Sequence, residues 1–430
     1  MKECTYACGS AEHEIARRQF LGGLAAGTGA VIGGLGSLTA PEALANLAKA
    51  QKRMIVVRMA GGLSQLESWD PKPNTDTGGP FRAIPTSVPG THISELLPYT
   101  AKQMHHLAIV RSINTKNGDH GKGNYMMLHG RRQTPGQNLP EIGAVVAKGL
   151  DNDSLSLPGH IKVTNGGSGG RNNDASYLGP KYASVSLGGG KPPAHTERPK
   201  NVSEAAEVQQ NLFRRLANNR FARRRRTAET DAYVQSYEQA QELMRQREVF
   251  DLSKESKKDQ ERYGPHDFGK HCLLARRLIE NGITYVQVQH SNYDTHNENF
   301  EFHFEQLGEF DRPFATLVAD LADRGLLKHT LIVVLSEFGR TPKINPRYGR
   351  DHWGTAWSVC LGGVGIQAGA AYGKTNKNGT AVSEDQVDAG HLFATYLEAL
   401  GMRWKGRFNV GGRKVPVSDP STPPIKELLT

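Results

Sequence analysis

Cysteine is nearly absent from this chain: four in 430 residues. Cys4 and Cys8 fall in an N-terminal segment that reads as removable, which leaves Cys272 and Cys360. Two thiols make no disulfide scaffold, so a hydrophobic core must hold the fold. Their pairing cannot be read from spacing. No internal repeat is present and no motif for binding RNA or DNA, so nucleic acid is not an expected partner. An unbroken apolar run is lacking too. The one stretch about long enough to span a bilayer, residues 21–40, is interrupted by many glycines and makes a poor span. Negative charge is in the minority: Lys and Arg number 53 against 43 Asp and Glu, a net charge of +10. Such a balance favours anionic substrates, acidic polysaccharide or anionic envelope surfaces. Part of it is local, because Arg223-Arg224-Arg225-Arg226 alone supplies four charges.

What stands at the N-terminus is an address. Arg17-Arg18 is followed by Phe20-Leu21, and a weakly hydrophobic Gly/Ala-rich stretch then runs to about Ala40. The pattern resembles a twin-arginine (Tat) export signal over residues 1–45, with Ala43-Leu44-Ala45 as a small-x-small cleavage site. The Tat export machinery is therefore an expected partner, and the expected location is periplasmic or extracellular. A transmembrane anchor is the competing reading of the same stretch. The chain beyond it suffices for one large α/β domain, residues 52–410, with a loose Pro/Ser-containing tail at 411–430.

Within that domain, short aliphatic runs alternate with helical patterns. Strands are expected at Met54–Met59, Leu107–Val110, His160–Val163, Ile283–Gln289, Leu331–Leu335 and Trp357–Leu361. Helices are expected around Tyr125–Leu128 and at Glu141–Leu150, His271–Asn281, Phe310–Asp323 (with Pro313 in its first turn) and His391–Leu400, the last capped by Gly401. Strands separated by helices suggest a largely parallel sheet. Asn165–Arg171 reads as a flexible loop. Residues 202–262 are rich in Glu, Gln, Arg and Ala, with Leu212, Phe213 and Leu216 on one face, continued by Tyr233, Tyr237 and Leu243. They predict one or two long amphipathic helices forming an insertion packed on the domain. A lid or partner-binding role is the alternative.

The chemistry-bearing residues gather where strands end. In open α/β sheets, sites form at the carboxyl ends of strands. The Ile283–Gln289 strand leads to Asp294-Thr295-His296, two donors at i and i+2 that can chelate one ion; a helix N-cap at Asp294 is the competing role. The Leu331–Leu335 strand runs into Ser336-Glu337-Phe338-Gly339-Arg340. A carboxylate emerging from a buried strand needs a metal or an arginine beside it, so Glu337 is a candidate ligand. Arg340 is either its ion-pair partner or a bidentate anion clamp. Asp351-His352-Trp353 follows in a loop. Gly61-Gly62-Leu63-Ser64 ends the first strand, where Ser64 is a candidate nucleophile or a capping serine, and Asp70 and Glu67 are further candidate ligands. His120 either touches the site or is a surface histidine. Oxygen and imidazole donors without thiolate point to a divalent metal: zinc, manganese, magnesium or calcium.

Taken together, Gly61-Gly62-x-Ser64, Asp70-Pro71-Lys72-Pro73, Asp294-Thr295-His296, Glu337 to Pro342, Gly349-Arg350-Asp351-His352-Trp353 and Gly362-Gly363 with Tyr372 to Thr375 resemble the domain of unknown function 1501 family, within the alkaline phosphatase/sulfatase-like superfamily. The set covers nearly the whole chain beyond the signal. The resemblance implies an α/β alkaline-phosphatase-like three-layer sandwich with a mostly parallel central sheet, a metal centre at strand ends, and hydrolysis or transfer of phosphate or sulfate esters. It implies Asp294 and His296 as a first ligand pair, Glu337 as the acid after a strand and His352 as the last histidine. One departure stands out: superfamily members commonly place histidine where Phe338 follows Glu337. The expected function is an exported metal-dependent hydrolase of phosphate or sulfate esters, with an anionic small-molecule or polysaccharide ester as substrate. A non-catalytic module for anionic glycans and an envelope scaffold protein are the alternatives.

Overall fold

A computed structural model describes residues 51–151, 157–193, 196–225 and 228–430; the expected signal at 1–45 lies outside them. Among the described residues the central sheet has nine strands: β1 (Arg53–Met59), β2 (Leu107–Ile113), β3 (His160–Val163), β4 (Ser168–Arg171), β5 (Val185–Leu187), β6 (Tyr285–His290), β7 (Thr330–Leu335), β8 (Trp357–Gly363) and β9 (Ala371–Tyr372). Their order across the sheet is β9-β2-β8-β7-β1-β6-β3-β5-β4. The run β7-β1-β6-β3-β5 is parallel, as is β9 with β2. β8 is antiparallel to β7 and β2, and β4 is antiparallel to β5.

The central strands are continuous aliphatic runs because both of their faces are covered. Side-chain alternation sends Ile55, Val57 and Met59 of β1 into one core and Met54 and Val56 into the other. Among the described residues, the α-helices longer than four residues are α1 (His120–His129), α2 (Ile142–Gly149), α3 (Glu204–Arg225), α4 (Ala228–Arg245), α5 (Lys257–Tyr263), α6 (Asp267–Glu280), α7 (Asn299–Asp323) and α8 (Ala389–Ala399). α6 and α7 cover the first face with Leu274, Leu278, Phe314 and Leu321. α1, α2 and α8 cover the second with Met127, Val145, Leu392 and Tyr396. Each such side chain contributes about 1.5–3 kcal/mol when fully buried. The result is a three-layer α/β sandwich with a mostly parallel sheet. Both thiols, Cys272 and Cys360, are buried and free. No described helix is long and apolar enough to cross a membrane.

Four sequence expectations need correction. α7 begins at Asn299, not Phe310, which puts Pro313 inside the helix. Its buried stripe runs through Asn299, His303, Leu307, Phe310 and Phe314, and the polar members hid the periodicity. The loop expected at 165–171 contains edge strand β4. The tail expected to be loose at 411–430 is docked: Ile425 and Leu428 are buried in the second core. The insertion does form helices, but Leu212, Phe213 and Leu216 are exposed. α3 is tied to α4 by Arg214 and Arg215 on Glu238, at 2.7 and 2.8 Å, in place of an apolar seam.

Candidate metal centre

The parallel strands deliver their carboxyl ends to one edge of the sheet. After β1 come Gly61 and Gly62, after β2 comes His120, after β6 comes Asp294, and after β7 comes Glu337. β8 runs the opposite way, so the residues before it reach the same edge, and these are Asp351 and His352. Antiparallel β8 is thus what brings the last histidine to the others.

Three imidazoles surround Asp294. His120 Nε2 lies 3.3 Å from its Oδ2, while His296 Nε2 and His352 Nε2 lie 3.2 and 3.1 Å from its Oδ1. Each ring is held through its other nitrogen. His120 Nδ1 is 2.8 Å from Glu337 Oε1, His296 Nδ1 is 2.8 Å from Asp351 Oδ1, and His352 Nδ1 is 2.6 Å from the Gly118 carbonyl. An Nδ1–H donated to a carboxylate or carbonyl leaves the Nε2 lone pair facing inward, which is the usual arrangement of metal-ligating histidine. His296 Nε2 and His352 Nε2 are only 3.0 Å apart. Two lone pairs at that distance repel unless a cation or proton lies between them. Ligand atoms of His120, Asp294 and His352 all fall within 4.8 Å of one another. The donor set of three imidazole nitrogens and one carboxylate fits a transition-metal dication such as zinc or manganese better than magnesium or calcium, which take mostly oxygen.

The surroundings are built to hold these groups. Burial opposes ionisation of Asp294, but the bonds from Arg340 and His352 outweigh it and hold the carboxyl near 2. The His296 hydrogen bond lowers Asp351 against a smaller opposing effect of burial. Asn345 Nδ2 reaches the His296 carbonyl at 2.9 Å and Asp351 Oδ1 at 3.3 Å. Glu337 is buried, accepts the Gly61 N–H at 2.9 Å and lies 3.2 Å from the Ser336 hydroxyl. Phe338, fully buried, lies under the imidazoles, its ring centroid 4.4 Å from His352 and 4.9 Å from His120. Gly62 is required beside it, since a Cβ there would come within 2.5 Å of the Phe338 ring. At Gly61 (φ +119°) a Cβ would sit 2.6 Å from the Asp294 nitrogen.

Of the residues expected from sequence, Asp294, His296, Glu337, Asp351 and His352 come together. Their roles divide: Asp294, His296 and His352 face the centre, whereas Glu337 and Asp351 orient His120 and His296. His120 completes the inner set; its signal was the strand at Leu107–Val110 followed by Asp119-His120, which also suits a surface residue. Asp70 does not join them. It is buried between Lys72 (2.9 Å) and Arg111 (3.5 Å) and accepts the Thr375 hydroxyl. Glu67 forms a fully buried pair with Arg350 at 2.8 Å. Ser64 is fully buried, with its N–H donated to His303 Nε2 at 3.2 Å and its carbonyl accepting the Ser68 hydroxyl. A side chain sealed in this way has no path to an ester, which corrects the expectation of a nucleophile there. Arg340 is not an open anion clamp either. It is fully buried and donates to the carbonyls of Gly61, Gly62 and Arg350 and to Asp294 Oδ1 at 2.6 Å. It knits the first glycine turn to Asp294.

An open cavity of about 1100 Å³ borders the centre, with His120 and His352 on its wall. Lys116, Lys122 and Arg132 line it, along with Asn117, Gln137 and Asn138.

The solved structures similar to this chain include the PsFucS1 sulfatase from Pseudoalteromonas sp. (13% identity, 85% of this chain and 72% of that one, TM-score 0.39). They include a phosphonate monoester hydrolase from Silicibacter pomeroyi (10% identity, 84% and 75%, TM-score 0.38). A third is a protein in the alkaline phosphatase superfamily from Vibrio parahaemolyticus (10% identity, 82% and 67%, TM-score 0.35). No protein of curated function matches the chain by sequence. The model of the protein family of unknown function DUF1501 matches residues 51–429, and the chain belongs to that family.

Proposed function

We propose that this protein is an exported, metal-dependent hydrolase of phosphate or sulfate esters. One observation carries the reading: three histidine Nε2 atoms aimed at one carboxylate, each ring fixed from behind, at the wall of a cation-lined cavity. His120, Asp294, His296 and His352 would hold the metal, which supplies Lewis acidity toward an ester oxygen. The chain's own groups supply the rest. Lys116, Lys122 and Arg132 draw an anionic ester into the cavity. Glu337 accepts the His120 Nδ1–H and so keeps the Nε2 lone pair turned toward the metal. Phe338 keeps water from the underside of His120 and His352. Arg340 fixes Asp294 and does not touch substrate.

Metal content and turnover of aryl phosphates and aryl sulfates test this together. The purified protein should carry a transition metal and hydrolyse one of the two ester classes. His352→Ala should lose metal and at least a hundredfold in kcat/KM, while Ser64→Ala should lose little. A metal-replete protein inactive on both ester classes would remove the hydrolase reading.

A further inference from the structure

The helical insertion carries a surface that the metal centre does not use. Among the described residues, five of the ten large apolar side chains exposed to solvent lie on α3. Val208, Leu212, Phe213 and Leu216 are 63, 55, 69 and 57% exposed. Val208, Leu212, Leu216 and Arg220 form one row at i+4 spacing; Phe213 stands beside Leu216 at i+3, and Arg223 beside Arg220. Single exposed apolar residues are ordinary, whereas a contiguous patch marks a surface that binds something. The other side of the helix is already taken. Arg214 donates to Glu238 at 2.7 Å and to Gln241 at 3.3 Å, and its guanidinium carbon lies 4.1 Å from the Tyr237 ring centroid. The apolar row therefore faces away from α4.

Charge selects what covers that row. Arg220 and Arg223 are exposed and extend the same face. The acids of α3 are Glu204 and Glu207, both in its first turn, where Arg198 approaches them at 3.6 and 3.8 Å. The outward face thus combines apolar and cationic side chains with no acid. A second copy of this face would bring no acid to answer the arginines. An anionic bilayer supplies acyl chains for the one and headgroups for the other. At 22 residues α3 is about 33 Å long. It would lie along the surface, because no described helix is long and apolar enough to cross. Its placement agrees. A cavity of about 420 Å³ between insertion and domain is lined by Arg215 and Glu238 together with Gln51, Gly159 and Thr284. These last three stand just ahead of β1, β3 and β6. The insertion therefore sits by the amino ends of the strands, the edge opposite the metal centre, and docking through α3 leaves the centre open.

We infer that α3 docks the protein on an anionic lipid bilayer, with Leu212, Phe213 and Leu216 at the acyl boundary and Arg220 and Arg223 among the headgroups. None of these residues belongs to the metal centre, so the docking stands whether or not the protein is a hydrolase.

The full chain is mixed with sucrose-loaded vesicles of phosphatidylcholine, with or without phosphatidylglycerol, and the bound fraction is read by sedimentation. Wild type should bind the anionic vesicles at least tenfold more tightly, and salt should weaken that binding. Each arginine near an anionic surface contributes roughly fivefold. Arg220→Gln with Arg223→Gln should therefore weaken binding at least tenfold, as should Leu212→Glu with Phe213→Glu. Both pairs change exposed positions and should keep the far-UV spectrum and metal content of wild type. Every protein compared carries residues 1–45, so the differences report α3 alone. Equal binding by wild type and both double variants would overturn the inference. So would a dimer in sedimentation velocity that binds no vesicles and falls to monomer in Leu212→Glu with Phe213→Glu, since the face would then be a contact between copies.

Discussion

At the scale of single residues, His303 shows how a buried histidine shapes the first-strand turn. Its Nδ1–H donates to the Asn299 carbonyl at 2.8 Å, and its Nε2 accepts the Ser64 N–H at 3.2 Å. The second bond requires the neutral ring, since a protonated Nε2 cannot accept, and burial lowers its pKa to about 4. The unfolded chain, with histidine near 6.5, takes up this proton first as pH falls. Stability should then decline from about pH 6.5 toward pH 4, by up to ~3 kcal/mol. His303→Gln should flatten that slope in chemical denaturation measured across the range; an unchanged slope would show that other groups set it. The same residue explains a misreading. Ser64 follows two glycines at a strand end, which suits an exposed nucleophile, but the partner that buries it lies on α7, in the turn that sequence periodicity left out. Asp294, His296, Glu337 and His352 were legible because each sits against an aliphatic run or a paired acid. Their division into inner groups and orienting groups was not, since it depends on which ring nitrogen faces which oxygen.

At the scale of elements, the site depends on turns that tolerate no side chain. Gly61 lies against the backbone of Tyr293 and Asp294, and its φ of +119° strains any other residue. Gly61→Ala should displace the Asp294 loop and lower metal affinity at least tenfold, with a smaller loss of stability; isothermal titration against wild type checks the ratio. Strands were easier to read than helix starts. The aliphatic runs at Met54 and Leu331 carry their own signal, as sheets buried on both faces do. α7 begins with Asn299 and His303, polar residues that serve as core. The direction of β8 could not be read from its residues, yet it is what places His352.

At the scale of the whole molecule, a bound ion should act as a clamp on loops from three parts of the chain. A ligand at a hundred times its Kd stabilises the folded state by about 2.7 kcal/mol. Chelation should therefore lower the melting midpoint by on the order of 5 °C. The drop should be reduced in His352→Ala; equal drops in both proteins would assign the effect to another ion. Export is tested separately. Lys in place of both Arg17 and Arg18 should leave precursor in the cytoplasm by fractionation and immunoblot, and unchanged export would discount the twin-arginine signal. The position of β1 has a consequence for synthesis. It leaves the ribosome first among the strands, but its neighbours β6 and β7 begin at Tyr285 and Thr330. For more than two hundred residues of translation the central strand has neither partner; Arg58, for example, waits 231 residues for Gln289. Both of its hydrogen-bonding edges stay open in that interval. Chains cut before Thr330 should therefore be prone to aggregate and to need chaperones. A transporter that accepts only finished proteins would spare this fold from waiting half-made outside the cell.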